Sequence, residues 1–156
     1  MRPAAHLWAM NPYDELQRLH AEIRTQLDEL EALTARPEPP MQELSAVRLA
    51  LTRASRARTM LLDRLYPELI ARAGERERVD LEALRAGAQN DRFASTKHIS
   101  SWTVREITAR WDDYRDASRT MRAAMRERIG REASTVYPLL AEAGTAGAEV
   151  RPDRAY

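Results

Sequence analysis

The sequence predicts an all-α fold, an antiparallel four-helix bundle made of two helical hairpins. Three observations carry that expectation. Ala, Leu, Arg and Glu dominate a 156-residue chain with only 5 Gly, a helix-forming composition. Apolar residues recur every three or four positions over long windows, the period of one helical face. Pro and Gly cluster between those windows, so the links are short and consecutive helices double back on one another.

The first helix opens at Asn11-Pro12, an N-cap followed by a proline at the first helical position. Leu16, His20, Ile23, Leu27 and Leu30 then form its inner seam, and RPEPP at 36–40 ends it. The second helix starts near Met41. It turns Leu44, Val47, Leu51, Ala54, Leu61 and Leu65 inward, closes at Tyr66-Pro67 and frays to Gly74. Residues 75–90 read as a connection holding a short helix. A third helix is expected from about Asp91, carrying Phe93, Ile99, Trp102, Val104, Ile107 and Trp111. After the acidic Asp112-Asp113 a fourth runs through Met121, Met125, Ile129, Val136 and Leu139. Residues 1–13 form an N-terminal segment, 14–143 the bundle, and 144–156 a disordered tail.

Composition excludes several function classes. With no cysteine there are no disulfides, thiolate nucleophiles or sulfur-ligated zinc, which suits the cytoplasm. The first fourteen residues lack the apolar core of an export signal, and no apolar run is long enough to span a bilayer. Net charge is +1 with signs interspersed, so neither nucleic acid nor membrane is an expected partner. No Gly-rich phosphate loop, HExxH or nucleophile-elbow serine occurs. His6 receives no role. Trp8 and Tyr13 are expected to cover one end of the bundle. Trp102 and Trp111 are expected in the core or lining a groove, with Met121 and Met125 filling gaps. Gly130 weakens its helix and leaves room for a close helix contact or a small molecule.

One pattern repeats: LYPELIARAG at 65–74 and VYPLLAEAG at 136–144. His20 precedes the first copy on one helix and His98 precedes the second on another. On these features the chain resembles the hemerythrin-like, or HHE cation-binding, family over residues 14–143. The resemblance implies one His on the first helix of each hairpin. It also implies a His-x-x-x-Glu on the second, with a Pro six residues after the Glu. Such side chains, four apart, share a helix face and converge on a di-iron site.

Reading back from Pro138 finds Arg128 and Glu132; from Pro67 it finds Ala57 and Leu61. The carboxylate survives once, and neither second-helix His remains. A guanidinium cannot ligate a metal. The expected arrangement therefore puts Arg128 where the metal would lie, held by Glu132 with His20 or His98, and joined by Arg58. The alternative turns Arg128 to solvent and pairs Glu132 with a surface arginine.

The leading expectation is a non-enzymatic binding or regulatory protein without a cofactor, recognising a protein partner, a second copy or a small ligand. The alternative is a reduced iron site of His20, His98 and Glu132 that binds or senses oxygen, nitric oxide or peroxide. The resemblance implies sensing of this kind in bacteria. Haem held by the two histidines and a purely structural subunit are the remaining readings.

Overall fold

The computed structural model describes residues 11–149, which fold into five helices with no strand among them. They are α1 (Pro12–Thr34), α2 (Met41–Arg72), α3 (Glu75–Ser101), α4 (Val104–Ala109) and α5 (Trp111–Glu149). Helix α1 packs on α2 and α5, and α3 packs on the same two helices, so the four long helices contact one another in a cycle. No helix among the described residues is long and apolar enough to cross a membrane.

Helix α1 begins as its sequence dictates. The Asn11 side chain accepts a 2.8 Å bond from the Asp14 amide, and Pro12 occupies the first turn. Its last turn carries no basic residue, and α5 supplies the missing donors. Arg115 Nε donates to the Thr34 carbonyl at 2.6 Å and Trp111 Nε1 to that of Arg36 at 3.1 Å. Arg122, itself buried, donates to Thr34 Oγ1 at 3.1 Å. Open carbonyls at a helix C-terminus are thereby satisfied by cations and an indole from a neighbour.

Four boundaries differ from expectation. Residues 75–90 are the first half of one continuous helix, because nothing between Gly74 and Ser101 breaks it; that helix buries only Leu81, so no apolar period marked it. The expected third helix is interrupted at Trp102-Thr103. There the Thr103 hydroxyl caps the short α4 by accepting from the Glu106 amide at 3.3 Å. Pro67 and Pro138 lie inside α2 and α5 rather than at their ends. Helix α5 also continues to Glu149, since extending an existing helix needs no new nucleus. Residues 150–156, and residues 1–10 with His6 and Trp8, lie outside the described residues.

The interior divides into two apolar clusters. One gathers Ile23, Leu27, Leu30, Leu44, Leu51, Trp111 and Tyr114; the other gathers Leu16, Leu19, Leu61, Leu65, Tyr66, Val136 and Leu140. Met121 and Met125 pack on the first as expected, and Trp102 and Trp111 are both buried. Tyr13 meets Tyr137 edge-on at 5.4 Å. Phe93, Ile99 and Val104, apolar residues of the expected third helix, are exposed. A Cβ added at Gly130 would meet nothing within 4 Å, so no close helix contact depends on that glycine. Gly130→Ala is accordingly expected to raise stability by about 1 kcal/mol, measured by urea unfolding.

Candidate functional site

Between the two apolar clusters lies a polar layer. On α1, His20 stands between Leu19 and Ile23; on α2, Arg58 follows Ala54 and precedes Leu61; on α5, Glu132 falls between Ile129 and Val136. Each occupies an inner-stripe position that would otherwise carry an apolar side chain. Their exposures are 0% for His20, 2% for Arg58 and 3% for Glu132, so all three are out of water.

The contacts fix the roles of the ring nitrogens. His20 Nε2 lies 2.8 Å from Glu132 Oε1, and Nδ1 lies 2.6 Å from the Tyr137 hydroxyl. A carboxylate has no proton to give, so Nε2 donates; in the neutral ring Nδ1 then accepts from the tyrosine. Burial pushes the Tyr137 hydroxyl up from its ordinary value, which keeps it protonated as that donor. Arg58 Nε stands 3.7 Å from the same Glu132 oxygen. That is an ion pair but too long for a hydrogen bond, and Arg58 Nε and Nη1 have no hydrogen-bond partner. Tyr66 is pushed up to about 12, by burial first and then by the negative Glu132.

Two of the expected participants stand elsewhere. Arg128 pairs with Asp91 of α3, through Nε at 2.8 Å and Nη2 at 2.7 Å, and not with Glu132. Its position on α5 faces α3, where a carboxylate at the edge of solvent is less costly to pair than one in the core. Burial, then repulsion from Arg58, lowers its pKa to about 10. The buried cation beside Glu132 is instead Arg58. Ala57, the position the resemblance assigned to a lost histidine, is exposed, whereas Leu61 is buried among apolar neighbours.

His98 belongs to a different place. Its ring stacks on Tyr114 at 6.1 Å and lines a groove of about 650 Å³ walled by α2, α3 and α5. Burial, followed by the nearby Arg48, lowers its pKa below the ordinary 6.5. The unfolded chain therefore takes up a proton near pH 6.5 that the folded chain resists, and stability falls as pH drops through that window. Urea unfolding at pH 7.5 and 5.5 is expected to show a smaller acid loss in His98→Gln than in the unsubstituted protein.

These residues do not fit a di-iron centre. The single carboxylate is shared by a histidine and an arginine, and Leu61 stands where the resemblance would place a second one. Among the described residues no three His, Asp or Glu side chains are grouped to hold a metal ion, so His98 does not complete a three-donor site with His20 and Glu132. Sequence reasoning undervalued Tyr137 as the partner of His20, although its place beside Pro138 marked the residue, and it missed Asp91. No family model, curated protein or solved structure matches the chain.

Proposed function

We propose that the chain is a cytoplasmic, hemerythrin-like antiparallel four-helix bundle that has lost most of its di-iron ligands and serves as a non-enzymatic binding or regulatory protein. The observation that carries this reading is the buried Arg58 beside Glu132 and His20. A permanent cation stands next to the one carboxylate of the matched hairpins, where the family resemblance implies metal. The charge of Glu132 is balanced without an ion, and the scaffold keeps its shape through packing above and below the layer.

Such a scaffold has helix faces and a groove free to meet a small ligand, another protein or a second copy. Metal analysis of the full chain, purified after growth with added iron, is expected to give far less than one iron per chain. About two irons per chain, or a visible absorption band on exposure to ferrous iron and air, would overturn the proposal.

A further inference from the structure

We propose that the groove between α2, α3 and α5 binds a soluble amphiphilic carboxylate, an acyl chain of medium length ending in one negative charge. The inference deepens the binding function proposed above by naming a ligand class.

The groove exists because α3 is poorly anchored. It buries only Leu81, so its C-terminal half leaves a space of about 650 Å³ against α2 and α5. That volume lies within the range of small-molecule sites, about 300–1,000 Å³. Leu51, Trp102, Met121 and Met125 give it an apolar wall, and methionines adapt to chains of varied shape. Leu49, Ile99 and Val104 stand 51%, 46% and 56% exposed beside it. An apolar rim of this kind would be covered by the body of a bound chain.

The charges on the wall are of one sign. Arg48, Arg56, Arg92 and Arg128 line the groove beside His98, whose charged form burial disfavours, and no Asp or Glu does. Arg92 is neutralised by Asp63 and Arg128 by Asp91. Arg48 and Arg56 have no carboxylate partner among the described residues. Arg48 donates 2.6 Å to the Trp102 carbonyl with its guanidinium 5.8 Å from the Tyr114 ring. Guanidinium groups prefer planar, two-oxygen acceptors.

One further group on this wall lacks a partner. His98 Nε2 is buried and makes no hydrogen bond, an arrangement that calls for a partner. It is able to donate, and a carboxylate only accepts, with capacity for several bonds. The hydrogen bond to a neutral carbonyl leaves the Arg48 charge in place, so Arg48 and Arg56 both favour an anionic head. A protein partner fits less well, since stable interfaces bury about 800 Å² per side and the exposed apolar rim is three side chains wide.

The test is calorimetric titration of the full chain with monomeric decanoate, and separately with decanol. One decanoate is expected per chain, with decanol at least ten-fold weaker. Arg56→Glu, at an exposed position, is expected to weaken decanoate about ten-fold and leave decanol unchanged. Ser55→Trp is expected to fill the groove and abolish both, with circular dichroism and melting confirming that each variant folds. Absence of saturable decanoate binding, equal affinity for decanol, or indifference to Arg56→Glu would overturn the proposal. So would binding only to anionic phosphatidylserine vesicles, or sedimentation showing that decanoate merely displaces a second copy. Iron content of the same preparation separates the two readings: iron-loaded protein that binds decanoate overturns only the metal-free scaffold, and iron-free protein that ignores decanoate overturns only this ligand.

Discussion

Replacing Glu132 with leucine is expected to lower the free energy of unfolding by about 3–5 kcal/mol, because it strands the buried Arg58 without its counter-charge. His20 loses its acceptor in the same stroke. The converse change, Arg58→Met, is expected to be milder, since Glu132 keeps His20 as a donor. The double variant Arg58→Met with Glu132→Leu is expected to recover about half of the loss, because an apolar pair of similar volume replaces a desolvated ion pair at little or no cost. A deficit of about 1–3 kcal/mol would remain for the imidazole left without an acceptor. Urea unfolding of the four proteins closes a double-mutant cycle. If the double variant is as unstable as Glu132→Leu alone, charge balance is not what couples these two residues.

What the sequence disclosed follows what each element buries. Helices α1, α2 and α5 carry long inner stripes, and their apolar period is visible without coordinates. Helix α3 buries one residue, so its first half had no period to read. The break after Trp102 did have a signal: Thr103-Val-Arg-Glu106 is the pattern of a capping threonine with a glutamate three residues on. Both Tyr-Pro pairs were read as helix ends, yet both helices run through them; proline removes one donor but does not force the surrounding packed turns to unwind.

The polar layer was half legible for a related reason. His20 interrupts an apolar stripe, and Glu132 stands in register with Tyr137-Pro138. Counting back from the prolines, however, weighted Arg128 and Ala57 over Arg58. The spacing of Ala54, Arg58, Leu61 and Leu65, in steps of four, three and four, favours Arg58 as the inward side chain. Asp91 gave no such cue, because its pairing with Arg128 depends on how α3 lies against α5.

If Arg58 stands in for a metal ion, turning it into a ligand should create a site. Arg58→His is expected to bind one cobalt(II) ion, because arginine Nε and histidine Nε2 stand the same number of bonds from Cα. An imidazole nitrogen would then enter beside His20 Nε2 and Glu132 Oε1, giving two His and one carboxylate in one buried layer. Cobalt at His20 Nε2 would move the ring proton to Nδ1, which then donates to the Tyr137 oxygen 2.6 Å away, the outer partner that holds such a ring in place. At a cobalt concentration a hundred times the dissociation constant, stabilisation of about 2.7 kcal/mol is expected, visible as a raised melting temperature together with a cobalt absorption spectrum. Adding Tyr137→Phe should weaken cobalt about 10–100-fold by freeing the His20 ring. The unsubstituted protein should show neither signal, since its guanidinium repels the ion and offers no lone pair. Equal cobalt binding by the unsubstituted protein and the variant would mean that the arginine does not hold the place of a cation, and the reading of the layer would fall with it.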